Sequence, residues 1–145
     1  LYGIPTDRRD ARKRMLFARF GIQEFAQVRV RDLSTGMKQK VSLVISLVQD
    51  PEIIIFDEPT NGLDILTAKV VTDFLLDLKE QGKTIIISTH IFSLVEKICD
   101  RVGIIINGRM AACEDLRTLC GDKSLEDRFF EIYEAVNGED ENHDK

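Results

Sequence analysis

The chain has 145 residues, 43% of them hydrophobic and 31% charged, with a formal net charge of −5. That length suits one domain with a core of its own, and the composition is that of an ordinary soluble globular protein. No apolar run approaches the roughly 18 residues of a membrane-spanning helix, no signal peptide opens the chain, and Cys99, Cys113 and Cys120 form no CxxC pair, which suits free thiols in a reducing cytosol better than a disulfide framework.

The chain opens on Leu1 instead of Met, so a missing N-terminal portion is expected. Charge is uneven: residues 1–50 carry ten Lys/Arg and five Asp/Glu, the remainder ten and twenty. The basic run Arg8, Arg9, Arg12, Lys13, Arg14 and Arg19 has the charge of a nucleic-acid patch. A single aromatic, Phe17, falls within it, short of the several rings that stack on successive bases. It reads instead as the solvated face of a helix with Ala11, Met15 and Leu16 inward, and no nucleic-acid partner is expected.

Residues 7–20 read as a helix stopped by Gly21. A second helix starts near Thr35, its residues Val41, Val44, Ile45 and Val48 falling on one stripe, and Gln49-Asp50-Pro51 ends it. Residues 52–56 are a short apolar run closing in Asp57-Glu58-Pro59, the pattern of a parallel-sheet strand buried on both faces. Residues 65–80 are helical, with Val70, Val71, Phe74, Leu75 and Leu78 on one face and Gly82 as the stop. Residues 84–88 form a second buried strand and 91–99 a short helix. Segments 101–106 and 109–112 flank Asn107-Gly108, a strong hairpin signal. Segments 114–119 and 125–136 close the chain as helices, and the acidic stretch 138–145 reads as a disordered, solubilising end. Strands alternating with helices give an α/β fold with a largely parallel sheet.

Three places carry chemistry. Asp57 and Glu58 end a buried strand, at the edge where α/β sheets bind ligands. Adjacent carboxylates there suit Mg²⁺, which takes few protein oxygens, or they simply begin a turn. Ser88-Thr89-His90 closes the second strand, and an imidazole there can donate a hydrogen bond to a phosphate oxygen. Leu33-Ser34-Thr35-Gly36-Met37 precedes a helix, with Ser34 as N-cap. The N–H groups of that first turn either bind an anion or are merely capped.

Taken together, these motifs resemble the ATP-binding-cassette (ABC) transporter ATPase domain. Leu33-Ser34-Thr35-Gly36-Met37-Lys38-Gln39 resembles the family's signature motif, and residues 53–57 with Glu58 resemble its Walker B strand and catalytic glutamate. Pro59-Thr60-Asn61-Gly62-Leu63-Asp64 is similar to the D-loop, His90 to the switch histidine, and 99–109 to the C-terminal region. The Ser-Thr-Gly-Met form of the signature resembles bacterial multidrug, antibiotic and sodium export ATPases. The implied fold is a P-loop NTPase-like parallel sheet with part of the ABC helical subdomain and the N-terminal portion missing. Its segments would be a partial helical subdomain (1–50), the catalytic core (51–120) and a C-terminal helix with its acidic tail (121–145).

The resemblance implies ATP and Mg²⁺ as ligands. Asp57 would serve the metal, Glu58 would be the general base, and His90 would contact the γ-phosphate. Two subunits would pair head to tail, with Ser34, Thr35, Gly36 and Met37 reaching the nucleotide of the other subunit and Asp64 communicating across the interface. Membrane-spanning transporter subunits would hold the protein at the cytoplasmic face. The signature departs from its commonest form at Thr35, usually Gly, and Met37, usually Gln. No Gly-x-x-x-x-Gly-Lys-Ser/Thr loop occurs in the chain, so the chain alone is expected to hydrolyse no ATP, and its sheet is expected to leave apolar surface open. Two other readings stand beside the transporter ATPase. One is a non-hydrolysing module that lends its signature in trans, the other a soluble ABC ATPase outside transport.

Overall fold

Helix α1 (Thr6–Phe20) opens the described part of the chain, residues 5–143 of a computed structural model. It stops at Gly21, whose φ of 65° lies in the left-handed region that glycine enters without a Cβ clash. Leu16 and Phe20, one helical turn apart, are its buried residues. Ala11 and Met15, expected inside, are exposed, Met15 at 45%. Met15 lies about 100° around the helix from Leu16, and a stripe this narrow leaves it out. Two members of the basic run are anchored instead of solvated. Arg12 donates to the Leu47 carbonyl at 2.8 Å and pairs with Asp50 at 2.9 Å. Arg19 pairs with Asp77 and lies over the Phe74 ring, 4.7 Å from its centre.

Two short 3₁₀ turns, Ile22–Phe25 and Val30–Asp32, lead to helix α2 (Thr35–Leu47). Its buried stripe is Leu43, Val44 and Leu47. The expected stripe of Val41, Val44, Ile45 and Val48 is therefore rotated, and Ile45 is 63% exposed. The packing partner decides this: α2 lies against α1, where Arg12 holds the Leu47 carbonyl.

Strands β1 (Ile53–Asp57) and β2 (Thr84–Ser88) pair in parallel, from Ile53 opposite Thr84 to Asp57 opposite Ser88. Between them runs α3 (Ile65–Glu80), which packs on β2 and buries Thr67, Val71, Thr72, Phe74, Leu75 and Leu78. Val70 is only half-buried. Phe74 meets Phe20 edge to face at 5.3 Å. Burial on both strand faces is corrected. Ile54 and Phe56 are buried, whereas Ile53, Ile55 and Ile86 are 62%, 72% and 53% exposed. Among the described residues, helices cover one face of this two-stranded sheet and leave the other open.

The chain divides after Thr89 into two units, a cut that differs from the functional segments 1–50, 51–120 and 121–145. In the second unit α4 (Phe92–Ile98) precedes the antiparallel hairpin of β3 (Arg101–Ile106) and β4 (Arg109–Asp115), with a register shift at Ile104/Ile105. Asn107 and Gly108 turn it with φ of 51° and 74°, both positive as the tightest hairpin turn demands. Asp115 caps the short α5 (Leu116–Cys120). Ile104, Ile106, Leu119 and Leu125 form the centre, flanked by Phe92, Phe129 and Ile132. Helix α6 (Leu125–His143) receives the Glu96 carboxylate on its Leu125 N–H at 2.8 Å. The disordered end expected from residue 138 is corrected as far as His143, because the helix runs on through Gly138; its glutamates are good helix formers. Residues 144 and 145 lie outside the described residues.

Candidate functional site

Parallel pairing brings the C-terminal ends of β1 and β2 to one edge of their sheet, and the register sets Asp57 opposite Ser88. The Ser88 hydroxyl donates to Oδ1 of Asp57. The next residue, Glu58, leaves the strand with a φ of 46°, a conformation that costs a residue with a Cβ roughly 1–2 kcal/mol. Hydrogen bonds to its backbone and its side chain hold it there. Its N–H donates to the Ser88 carbonyl at 2.9 Å, its carbonyl accepts from Asn61 N–H at 3.1 Å, and its Oε2 accepts from the Thr89 hydroxyl at 3.2 Å. Pro59 and Thr60, both buried, fix the turn that follows.

Asp57 is exposed, and Glu58 is half-buried beside it. Hard carboxylate oxygens at an accessible strand end fit Mg²⁺. No group of three or more His, Cys, Asp or Glu among the described residues is placed to hold a metal, and an ion that keeps several waters needs no such cage. Asp57 is the residue that would hold it.

The second group is the first turn of α2. Ser34 caps it, its Oγ accepting the Met37 N–H at 3.2 Å. As an acceptor, that hydroxyl keeps its own proton to donate elsewhere. Thr35 is exposed, and Gly36 and Met37 are half-buried. A Cβ on Gly36 would meet the Gly62 carbonyl at 3.9 Å and the Leu63 side chain at 4.0 Å, which is ordinary contact. Among the described residues of its own unit, none therefore requires glycine at position 36. The same distances set this turn beside the loop that leads into α3.

Asp64, expected to communicate between subunits, is the N-cap of α3. Its two oxygens accept the Thr67 N–H at 3.0 Å and the Thr67 hydroxyl at 2.6 Å. That hydroxyl, followed by the backbone bond, holds the Asp64 carboxyl below its ordinary pKa. His90 follows Thr89 directly, is exposed, and begins the second unit. The structure thus brings Asp57 and Glu58 together with Ser88 and Thr89, and it sets the Ser34–Met37 turn beside the 62–63 loop. The hydroxyls of Ser88, Thr89 and Thr67 received no role from the sequence. The signal for the first two was a Ser-Thr pair ending a strand that runs parallel to the carboxylate strand.

A family model described as ABC transporter matches residues 6–61. The ABC transporter ATP-binding protein NatA of Bacillus subtilis (strain 168) is 39% identical over 127 residues, which are 88% of this chain and 52% of that protein. A solved structure of an ATP binding subunit of an ABC transporter matches with a TM-score of 0.84 at 30% identity, over 90% of this chain and 57% of the other. A dimeric ATP-binding cassette in a post-hydrolysis state, bound to ADP and Pi, matches with a TM-score of 0.68 at 26% identity, over 79% of this chain and 50% of the other. The chain spans about half the length of these proteins.

Proposed function

Because the chain belongs to the ATP-binding-cassette family of transporter ATPase domains, we propose that it supplies the metal-holding and water-activating residues of an ATP hydrolysis site, in a subunit that couples hydrolysis to export across the membrane. The observation that carries this reading is the pairing of Asp57 and Glu58 at one strand end, Asp57 bonded to the hydroxyl of the last β2 residue, Ser88, and Glu58 to that of the next residue, Thr89.

In this reading Asp57 holds Mg²⁺, which supplies charge neutralisation on the phosphates. Phosphoryl transfer depends on positioning and charge stabilisation more than on covalent chemistry. The half-buried Glu58 carboxylate orients the attacking water and takes its proton on a carboxylate oxygen. His90 donates a hydrogen bond to the γ-phosphate. The α2 N-terminus serves a second nucleotide, held by a partner subunit of the same family. There the Ser34 hydroxyl and the Thr35, Gly36 and Met37 turn meet phosphate oxygens at the positive end of the helix dipole, and Asp64 holds the start of α3 in the loop beside them. Membrane-spanning subunits would keep the protein at the cytoplasmic face. Export as the direction rests on the Ser-Thr-Gly-Met form of the signature.

The test is ATP turnover by the full-length protein and its Glu58→Gln variant. We expect turnover to fall by at least about 100-fold, the scale of losing general-base action, with ATP binding retained. A variant as active as the parent would remove Glu58 from the chemistry. The 145 residues contain no Gly-x-x-x-x-Gly-Lys-Ser/Thr loop to cradle phosphate. By itself the chain is therefore expected to show no turnover, and turnover that Glu58→Gln abolished would overturn that expectation.

A further inference from the structure

Each carboxylate at the end of β1 receives a hydroxyl from one of two consecutive residues at the end of β2. Ser88 donates to Asp57, and Thr89 donates to Glu58 at 3.2 Å, each bond spanning 31 residues of sequence. Ser88 is doubly engaged, since its carbonyl also accepts the Glu58 N–H at 2.9 Å. Resting on the reading of Asp57 and Glu58 given above, we propose that Ser88 and Thr89 form a two-hydroxyl clamp that aims both carboxylates, with Thr89 the positioning residue for Glu58.

The geometry of Glu58 is the reason. Along an extended strand, successive side chains point to opposite faces, so an extended Glu58 would point away from Asp57's side of the sheet. The left-handed φ of 46° breaks that alternation. Backbone held in this region persists only where its surroundings over-determine it; here the Ser88 carbonyl and the Asn61 N–H hold the Glu58 backbone, and Thr89 holds its side chain. A hydroxyl at the end of a strand can be satisfied by water at little cost. Both of these are directed at carboxylates instead, where charge strengthens the bond. With Oε2 held by Thr89, rotation of the Glu58 carboxylate is restricted. Because the two donors are adjacent in sequence, a shift of the β2 end re-aims both carboxylates at once. His90 is the next residue, so the clamp and the γ-phosphate contact of the proposed site share one stretch of backbone.

The experiment uses the full-length protein with ATP and Mg²⁺, and measures kcat, KM and the Kd for methylanthraniloyl-ATP. Thr89→Val removes the hydroxyl and keeps the shape, whereas Thr89→Ser keeps the hydroxyl. We expect Thr89→Val to lower kcat about 10- to 100-fold, the scale of a misplaced reacting group. Its KM and Kd should stay within about twofold of the parent, and Thr89→Ser should recover most of kcat. Thr89→Ala and Ser88→Ala carry the same test if the valine variant does not fold. A parental kcat in Thr89→Val overturns the clamp, as does a Thr89→Ser variant as impaired as Thr89→Val, which would assign the effect to methyl packing. A loss of Kd in step with kcat overturns it too. If Glu58→Gln abolishes turnover while Thr89→Val is normal, the clamp alone fails. If Glu58→Gln is as active as the parent, the site reading fails and takes the clamp with it.

Discussion

Both carboxylate oxygens of Asp64 are taken by one residue, Thr67, whose N–H and hydroxyl donate at 3.0 and 2.6 Å. Asp64 thus holds the first turn of α3, where orphan N–H groups need an acceptor. These bonds stabilise the charged form and hold the Asp64 carboxyl below its ordinary pKa. The stability they contribute is complete above the unfolded-state value of about 3.9 and is lost as pH falls through the depressed folded value. Asp64→Asn is therefore expected to lower the unfolding midpoint at neutral pH and to flatten the acid limb of the stability profile. Urea unfolding followed by circular dichroism between neutral pH and pH 2 checks this. Parallel acid limbs in parent and variant would show that the cap does not depend on charge.

Gly36 separates stability from activity. Its neighbours leave room for a methyl group, with the nearest contacts at 3.9 and 4.0 Å, and it lies in the first turn of a helix, where alanine has the better propensity. Gly36→Ala should leave stability unchanged or raise it by up to about 1 kcal/mol. In the proposed dimer the same methyl would stand between the helix backbone and a partner's phosphate, so ATP turnover of the full-length protein should fall at least about tenfold, as a displaced contact would cause. A stable variant with parental turnover would mean that no phosphate comes close to this backbone.

Adjacent isoleucines on β1 test the alternation of its burial. Ile54 is 4% exposed and Ile55 72%. In the 145-residue chain, Ile54→Ala should cost about 2–5 kcal/mol, as for other buried large-to-small changes. Ile55→Ala should cost well under about 1 kcal/mol. Chemical denaturation of both variants decides it. Equal losses would show that the open face of the sheet is covered in solution.

The same pair of residues shows what the sequence could tell. A run of Ile, Ile, Ile and Phe announces a strand and places Asp57 and Glu58 at its end, because apolar β-branched residues and a following proline act locally. It does not tell which face is covered, since that depends on what packs there. The same limit explains α1 and α2. Both helices were legible from spacing and breakers, but the choice of Leu16 over Met15, and of Leu43 over Ile45, was made by tertiary packing, in which α1 and α2 lie against each other and against the turn at Ile22–Phe25. Within the site, the carboxylates, Ser34 and His90 were legible as residue types at element ends. The bonds from Ser88 and Thr89 were not, because they depend on strand register, which joins residues far apart in the chain.

That register is reinforced at the opposite end of the strands by Lys83. Its ammonium group lies 2.8 Å from the Glu52 carboxylate and 3.2 Å from that of Asp50, while the Thr84 N–H donates to the Glu52 carbonyl at 2.9 Å. Asp50 also receives Arg12, so a single carboxylate links α1 to the start of the sheet. The hydrogen bond to Glu52 is the largest influence on Lys83 and raises its pKa; the Asp50 pairing acts in the same direction, and burial opposes both. A raised folded value means that the contribution to stability is complete below the unfolded value of about 10.4 and disappears as pH rises through the folded value. Lys83→Met should therefore be less stable than the parent at pH 8. The gap should close in strongly alkaline solution, and the variant's alkaline limb should be the flatter one. Urea midpoints at pH 8, 10 and 11.5 measure this, and a repeat in 1 M salt should shrink the pH 8 difference by screening the exposed partners. A gap that stayed constant across the series would assign the role of Lys83 to its hydrocarbon stem, packed over the strand ends.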